Sequence, residues 1–294
     1  MRWFRGNLHT HTTNSDGDSA PDEVVAWYRD AGYDFLALTD HDLLTLPRDH
    51  AAAATPMLLI HGEEVTAGDV HVNGLGIRST ISPVIGATVA ETLQRNVDAV
   101  MADGGMASVN HPNYRWQVRA ADLIALGGCR LLEVFNGGPE TNNGGGAGRP
   151  SHDALWDAVL SAERRFHAIA VDDAHYFKVF GRPYSNPGRG WVHIRAASLS
   201  EATVLQALAN GDFYASSGVE LADVSSGRRE LAIDIVPQYD LAYRTTFMGR
   251  GGEVLDVVDG VAPRYAVSGH EGYVRARIDD SDGLSAWVQP LFLD

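Results

Sequence analysis

The sequence predicts an α/β protein with a small β module after it, and three observations lead to this fold class. Short apolar runs alternate with helix-like segments over the first two thirds of the chain. Many of the apolar runs end in histidine, aspartate or glutamate. After residue 218 strand-like runs follow one another without helices. Alternation of strands and helices favours a parallel sheet, here in the form of a barrel.

The elements follow in order from the pattern of apolar and capping residues. Four segments are helix-like, at residues 20–32, 88–105, 151–165 and 200–211. Apolar runs predict strands at residues 35–40, 57–66, 70–77, 106–112, 129–137 and 166–175. Four further runs predict strands at residues 230–237, 264–269, 273–280 and 286–293. We therefore predict two domains, a barrel over residues 1–218 and a β module over residues 219–294.

Composition argues against several classes of protein. Cys129 is the only cysteine, so an intrachain disulfide and a thiolate metal site are excluded, which suits the cytoplasm. The formal net charge of -15 argues against broad binding to nucleic acid or to an anionic membrane. No apolar run reaches the roughly 18 residues of a membrane span, and we read no signal peptide. The expected partner is a small molecule, and a homo-oligomer is compatible with the sequence.

Histidines and carboxylates recur at the ends of the predicted strands. These candidates are His9, His11, Asp16, His41, Glu64, His71, His111, Asp173 and His175. In parallel α/β barrels the C-terminal ends of the strands surround the site of chemistry. Two histidines separated by one residue point to the same face of an extended segment, because side chains alternate along a strand. Converging imidazoles and carboxylates are suitable ligands for Mn²⁺, Fe²⁺ or Zn²⁺.

Each motif alone also has an ordinary structural explanation. An isolated pair such as His9 and His11 is more often structural, and residues 39–42 could form a turn or a helix cap. Their occurrence in order at successive strand ends is what predicts a site. Six other histidines are first interpreted as surface or core residues: His50, His61, His152, His167, His193 and His270. Among them, His61 could support the site and His152 could donate a proton.

The ordered motifs resemble those of the PHP (polymerase and histidinol phosphatase) superfamily. The matching segments are NLHTHTTNSDG, ALTDHD, GEEVT, NHP and DDAH, and the resemblance covers residues 1–218. It implies a distorted seven-stranded (β/α) barrel and a metal-dependent phosphoesterase. Within the superfamily, the chain looks most like the bacterial metallohydrolases that include carbaryl hydrolases. The segments RGNLHTHTTNSDG, ALANGDFYASSG and AWVQPLFL carry that second likeness.

The resemblance also implies how the nine candidates would bind two or three divalent ions (Mn, Fe or Zn). The first ion would be held by His9, His11, Glu64 and Asp173. The second would be held by Glu64, as a bridge, together with His71 and His111. The third would be held by Asp16, His41 and His175. Glu63 is the alternative to Glu64, since both lie in GEEVT.

The resemblance implies hydrolysis of a phosphomonoester or phosphodiester of a small molecule. A hydroxide shared by two ions would attack phosphorus, with Glu64, Asp173 and His175 as catalytic residues. Candidates to bind substrate follow the last ligand or lie near other motifs; they are Lys178, Arg182, Arg189, Asn113 and Asn136. The arginines are suited to bidentate contact with phosphate.

Alternatives to this function remain open in the sequence. The same metals could hydrolyse a carboxyl ester or a carbamate, or the chain could be a non-catalytic metal-binding module. Arg182 and Arg189 facing the metals would favour an anionic substrate, whereas an apolar pocket around Trp116 or Trp191 would favour a neutral ester. Relatives that act on nucleotides have a helical insertion between the middle motifs. The short spacing from His111 to Asp173 leaves little room for one here, which disfavours a nucleotide substrate. The glycine-rich residues 136–148 form either a surface loop or a cover beside the site.

Overall fold

The computed structural model describes residues 1–46 and 57–293, so His50 lies outside the described residues. The described helices are α1 (Pro21–Asp30), α2 (Val89–Ala102), α3 (Ala120–Ala125), α4 (His152–Ser161) and α5 (Glu201–Asn210). The strands of the first part are β1 (Arg2–Asn7), β2 (Phe35–Ala37), β3 (Leu58–Ile60), β4 (Gly62–Ala67), β5 (Val70–Leu75), β6 (Met106–Val109), β7 (Leu131–Asn136), β8 (His167–Val171), β9 (Trp191–Ala196) and β10 (Phe213–Ser216). The remaining strands are β11 (Leu221–Gly227), β12 (Glu230–Ile235), β13 (Tyr243–Met248), β14 (Val254–Asp259), β15 (Arg264–Ala266), β16 (Tyr273–Asp280) and β17 (Ser285–Phe292).

The helices form where capping and periodicity agree. In α2 the Thr88 side chain accepts a hydrogen bond from the Glu91 backbone N–H, which satisfies one free donor of the first turn. Leu93, Val97 and Val100 recur at intervals of four and three residues and are fully buried. Helix α5 ends at Gly211, whose φ of 79° suits a left-handed cap.

A five-stranded sheet has the order β4-β5-β6-β7-β8. Strands β4, β5 and β6 are antiparallel neighbours, whereas β6, β7 and β8 are parallel. Helix α2 packs against β5 and β6, and its apolar face joins the largest hydrophobic core. The carboxyl ends of the parallel strands therefore lie at one edge of this sheet, next to the β4–β5 hairpin.

A nine-stranded sheet has the order β14-β13-β16-β17-β10-β9-β1-β2-β3. Strands β1, β2 and β3 are parallel, and the other pairs are antiparallel. Isolated bridges join the two large sheets beyond the strand ends, between Thr10 and Ala174 and between His41 and Glu64. These bridges bring the carboxyl ends of β1, β2 and β8 and the start of β4 to one place.

The prediction of an α/β protein is confirmed, but the predicted seven-stranded barrel is not found, since the sheets are not closed. The reason lies in the pairing of β1. Its residues 2–6 pair with the antiparallel β9, which is absent from the predicted strands, rather than with β8. The β4–β5 hairpin likewise introduces antiparallel pairing where a (β/α) barrel would be parallel.

The C-terminal residues form two sets of strands. One is a three-stranded sheet, β11-β12-β15, and the other continues the nine-stranded sheet through β17, which pairs with β10. Hydrogen bonding thus crosses the domain boundary predicted at residue 218, and that division stays a prediction. Among the described residues, no helix has the length and apolarity that crossing a membrane requires.

Candidate metal centre

Glu64 lies at the centre of a group of imidazoles, which we call the Glu64 cluster together with Asp16 and Asp173. Its side chain is 1% exposed. Five imidazoles have a nitrogen within 2.9–3.3 Å of its carboxylate oxygens: His9, His11, His41, His71 and His111. Both oxygens are contacted, Oε2 by the first three histidines and Oε1 by the last two. Glu64 therefore has the geometry of a carboxylate that bridges two ions.

Asp173 completes the inner part of the cluster. Its Oδ1 lies 3.3 Å from His9 Nε2 and 3.2 Å from His11 Nε2, and these two nitrogens are 3.1 Å apart. The backbone of Asp173 has a φ of 50°, a left-handed conformation that is uncommon for an aspartate. The Asp173 N–H donates to His9 O, which holds this conformation. Strain of this kind occurs often at functional sites.

An outer group forms around Asp16, whose side chain is half exposed. The Asp16 carboxylate lies 3.5 Å from His11 Nδ1, 3.5 Å from His41 Nε2 and 3.4 Å from His175 Nε2. Asp16 sits in a loop that is fixed by the fully buried Asp40. Asp40 accepts hydrogen bonds from the Thr12 N–H and hydroxyl and from the hydroxyls of Ser15 and Thr45.

The donor set and its spacing fit divalent ions. Two ligands of one zinc ion, each about 2.0–2.1 Å from it, lie roughly 3.0–3.4 Å apart in tetrahedral or octahedral geometry. The nitrogen–oxygen and nitrogen–nitrogen distances of 2.9–3.5 Å in the cluster are close to these values. Among the described residues, no lysine or arginine contacts Glu64, Asp16 or Asp173. The buried His11 Nδ1 also has no hydrogen-bond partner.

The pKa values of the cluster show how its charge is balanced without an ion. Burial opposes charge on His9, but Asp173, Glu64 and Glu133 raise its pKa well above the usual value. Burial likewise opposes charge on Glu64, yet His9 and His71 hold its pKa well below the usual value. For His175, burial is outweighed by Asp16 and Asp173, and its pKa rises to about 9. Protons on imidazoles therefore supply positive charge that bound cations could supply instead.

Glu133 supports the cluster and is absent from the predicted site residues. It is fully buried, and its Oε1 lies 2.7 Å from His9 Nδ1. Its Oε2 accepts from the His111 N–H at 2.7 Å and from Asn136 Nδ2 at 2.8 Å. A carboxylate that accepts from one ring nitrogen leaves the other nitrogen free to bind a metal. In the sequence, Glu133 is a single acid within the apolar run LLEVFN, and no motif marks it.

Glu63, the alternative to Glu64, lies on the opposite face of β4. Its Oε1 accepts from the Ile81 N–H, and burial raises its pKa to about 7. Alternation of side chains along the strand explains why only one of the two neighbouring glutamates can face the histidines. Asn110 adds a neutral contact on the Glu64 side, because its Nδ2 donates to Glu64 Oε1 at 2.8 Å.

The histidines outside the motifs lie outside the cluster where they are described. Burial lowers the pKa of His152 to about 3, of His193 to about 3 and of His167 to about 4. His152 is fully buried and accepts from the Asn113 N–H, which leaves it neutral rather than ready to donate a proton. His61 lies 3.7 Å from Glu201, and His270 is exposed.

A cavity of about 280 Å³ opens above the cluster. Seven of the nine predicted ligands line it: Asp16, His41, Glu64, His71, His111, Asp173 and His175. Its walls come from Tyr114, from residues 138–141 of the glycine-rich segment, and from Tyr176, Pro183 and Ser185. His9 and His11 are fully buried behind this surface.

The five predicted substrate-binding residues do not line the cavity. Lys178 Nζ donates to Asp18 O and lies 3.8 Å from Glu23, beside the start of α1. Arg189 donates to the carbonyls of Gly137 and Gly181 and so ties two loops together. Arg182 is exposed.

The two asparagines make structural contacts. Asn113 Nδ2 donates to the carbonyls of Asn142 and Pro150. Asn136 Nδ2 donates to Glu133 and to Asp173 Oδ2, so it supports a predicted ligand. Trp116 and Trp191 also do not line the cavity. The cavity therefore has neither the arginines that would favour an anionic substrate nor the tryptophans that would favour a neutral ester.

Comparison with known protein sequences gives one partial match. No protein-family model matches the chain. Over 121 residues the chain is 30% identical to the phosphoribosyl 1,2-cyclic phosphate 1,2-diphosphodiesterase of Eggerthella lenta, and the alignment covers 38% of this chain and 40% of that protein. The chain thus matches less than half the length of this curated relative.

Solved structures add a likeness over the whole chain. The chain resembles a two-domain protein from Bacteroides vulgatus that contains a predicted PHP-like metal-dependent phosphoesterase, with a TM-score of 0.55 and 17% identity. That match covers 99% of this chain and 95% of the other, and it shows a shared fold. An amidohydrolase from Chromobacterium violaceum, solved with sulfate and no metal, has a TM-score of 0.41 and 19% identity over 59% of this chain and 88% of its own. The second likeness is too low to carry an argument.

Proposed function

We propose that the protein is a metal-dependent hydrolase that cleaves a phosphomonoester or phosphodiester of a small molecule. The observation that carries this proposal is Glu64, a buried carboxylate with five imidazoles around its two oxygens. Burying so many ionisable groups together is costly unless they bind something of opposite charge. The partial match to a phosphodiesterase and the shared fold support phosphoester chemistry. The comparisons give no support to the carbamate or carboxyl-ester alternative.

Seven of the nine residues form three overlapping groups that could each hold an ion. Ligand atoms within 4.8 Å of one another occur in His9–His11–Glu64, in His41–Glu64–His71 and in Asp16 with His11, His41 and His175. We propose two or three divalent ions, of Mn, Fe or Zn, with Asp173 and His111 as further ligands. Bound ions would polarise the phosphoryl group and lower the pKa of water, which becomes the nucleophile.

The chain's own residues would orient these ligands and exclude water from behind them. Glu133 fixes the ring of His9 so that Nε2 faces Glu64 and Asp173. Asp40 fixes the loop that carries Asp16. In the proposed hydrolysis, water adds to phosphorus, the P–O bond to the alcohol breaks, and the alcohol leaves with a proton. Glu64, Asp173 and His175, the residues proposed as catalytic, all line the cavity where this substrate would bind.

Two finer proposals come from the sequence. The likeness to carbaryl-hydrolase-like metallohydrolases would place the chain in one branch of the PHP superfamily. The division into residues 1–218 and 219–294 would make the second part a support for the first, through the pairing of β10 with β17.

The test measures metal and turnover on the same sample. Protein purified without chelator is analysed by inductively coupled plasma mass spectrometry and assayed on phosphomonoesters, phosphodiesters, carboxyl esters and carbamates. We expect two or three Mn, Fe or Zn per chain and release of phosphate or of an alcohol from phosphoesters only. Metal with turnover of carbamates or carboxyl esters alone would replace the proposal by its rival. No metal, and none taken up on reconstitution, would end it.

A matched pair of variants ties the activity to the cluster. The double variant His9→Ala/His11→Ala should lose metal and lower kcat/KM by about 10³-fold or more, since the ions supply several kcal/mol of transition-state stabilisation. The control His61→Ala/His270→Ala removes two histidines outside the cluster and should retain both metal and turnover. Equal activity in the two double variants would contradict the proposed site.

A further inference from the structure

The walls of the cavity above the Glu64 cluster carry aromatic rings. Tyr114 and Tyr176 line it together with Pro139 and Pro183, and among the described residues no lysine or arginine does. We propose that Tyr114 and Tyr176 select a substrate with one phosphoryl group and an uncharged, planar remainder. This inference rests on the proposed phosphoesterase function, because it assigns the part of the substrate that does not react.

The two tyrosines are held by contacts on either side of the cluster. The Tyr114 ring packs against His111 at 5.2 Å and against His71 at 5.7 Å between centroids. Tyr176 directly follows His175 and packs against Tyr184 at 5.1 Å. A tyrosine ring presents apolar area with little loss of conformational entropy, and it packs well against another flat ring. The rings therefore offer planar contact next to the groups that would bind the phosphoryl group.

The nearby cations do not line the cavity. Arg189 donates to two backbone carbonyls and to Asn186, and Lys178 donates to Asp18 O. Arg115 is exposed, and its guanidinium lies 5.5 Å from the centre of the Tyr114 ring and 3.3 Å from Asp69. A second phosphate or a carboxylate on the substrate would thus find no cationic partner in the walls. Recognition of anionic groups in proteins commonly depends on arginine or lysine.

Negative charge in the walls also disfavours a second anionic group on the substrate. Glu140, which is not one of the proposed ligands, lines the cavity beside Pro139. A carboxylate on the remote part of a substrate would be repelled by this group. The volume of about 280 Å³ lies just below the roughly 300–1,000 Å³ that ligand pockets span. The substrate portion inside the cavity is therefore small as well as neutral.

The test compares three probes with similar primary-alcohol leaving groups. They are ethyl phosphate, 2-phenylethyl phosphate and 2-(4-carboxyphenyl)ethyl phosphate, each also made as its methyl diester. We expect kcat/KM for the phenylethyl probe to exceed that for each of the others by about 10-fold or more. Turnover of all three probes at similar kcat/KM would overturn this inference and leave the proposed function standing. No turnover of any probe by metal-loaded protein would overturn both.

Variants assign the preference to the two tyrosines. Tyr114→Leu and Tyr176→Leu should each lower the kcat/KM ratio of the phenylethyl probe to the ethyl probe by about 3- to 10-fold, the size expected for loss of one aromatic contact. The ratio is the readout because Tyr114 also touches two proposed ligands, so a general loss of activity cancels. Phe180→Leu is the control, since Phe180 is an exposed aromatic residue of the same loop that does not line the cavity. A ratio that changes equally in all three variants, or in none, would overturn the assignment.

Discussion

Two regions of the molecule bury several charged groups, but only one of them contains its own counter-charge. In the first, Arg275 is 1% exposed, and its Nε and Nη2 each donate to Asp157 at 2.6 Å. Arg275 Nη1 lies 3.1 Å from Asp153, and the guanidinium stacks 4.6 Å from the centre of the Trp156 ring. The second region is the Glu64 cluster, where carboxylates face imidazoles and no guanidinium is present among the described residues.

The difference separates a structural ion cluster from a ligand site. Arg275 carries its positive charge at any ordinary pH, and Arg277 lies 3.0 Å from Asp153, so two guanidinium groups balance Asp153 and Asp157 within the chain. The Glu64 cluster becomes neutral overall only when imidazoles take up protons or when cations bind. The same amount of burial therefore stabilises the contact between α4 and β16 in one place and prepares a binding site in the other. Substitutions can disrupt the Arg275 group and the Glu64 cluster separately.

The largest effect is expected from Arg275→Met. It leaves the buried Asp157 without its guanidinium partner, whereas Asp153 keeps its contact with Arg277, so the free energy of unfolding should fall by about 3–5 kcal/mol. Urea unfolding at pH 7 measures this, and the metal content of the folded variant should not change. The exposed pair of Arg244 and Asp259, 2.8 Å apart, gives the control.

Arg244→Met should cost less than about 1 kcal/mol, because exposed ion pairs contribute little. The double variant Arg275→Met/Asp157→Leu should recover part of the loss, since it removes the carboxylate that Arg275→Met leaves without a guanidinium. If Arg275→Met proves no more destabilising than Arg244→Met, the Arg275 group does not stabilise the contact between α4 and β16.

A smaller effect is expected when the Glu64 cluster loses support rather than a ligand. Glu133→Gln keeps an oxygen near His9 Nδ1 but removes the negative charge, so metal affinity should fall by about 10- to 100-fold. Calorimetric titration of metal-stripped protein with Zn²⁺ or Mn²⁺ measures the change. Glu63→Gln is the matched control, because Glu63 is equally buried but contacts Ile81 instead of a histidine. Similar affinities for the two variants would show that Glu133 does not position the ligand.

The two regions also differ in how far the sequence predicts them. Most of the nine candidate ligands lie at the ends of predicted strands, and the structure places five histidines around Glu64 because strand ends converge. Arg275 and Asp157 are 118 residues apart, and neither YVRARIDD nor SHDALWDAVL contains a local pattern that links them. Glu133 could not be recognised for the same reason, since its partners His9 and His111 come from other elements.

The pairing of strands shows the same limit. Periodicity locates β8 as an extended segment near the proposed ligands, but it does not say which strand lies beside it. The antiparallel pairing of Phe4 with Ile194 in β9 joins residues far apart in the chain. That long-range pairing replaces the expected barrel closure. Local sequence therefore predicts the type of most elements, whereas the closure of the sheet depends on contacts that only the folded chain reveals.

The smallest effect concerns a buried histidine that stays neutral, in contrast to the imidazoles of the Glu64 cluster. His193 stacks on Tyr214 at 4.7 Å and accepts a hydrogen bond from Trp191 Nε1. Burial, with Arg5 adding to it, lowers the pKa of His193 to about 3. As the pH falls below about 6.5, His193 binds a proton in the unfolded chain, whereas in the native protein it stays neutral until about pH 3. The free energy of unfolding should therefore fall by about 1.4 kcal/mol per pH unit for this residue.

His193→Phe keeps the stacked ring and removes the titration. Trp191 loses its acceptor, so the variant is less stable at pH 7, but its further loss between pH 7 and pH 5 should be about 2 kcal/mol smaller than that of the unmodified protein. Urea unfolding at both pH values gives the difference, and His270→Phe, at an exposed position, should leave it unchanged. Identical losses in His193→Phe and the unmodified protein would mean that His193 is protonated in the native state. His193 would then not differ from the imidazoles of the Glu64 cluster, because both would be protonated in the native protein.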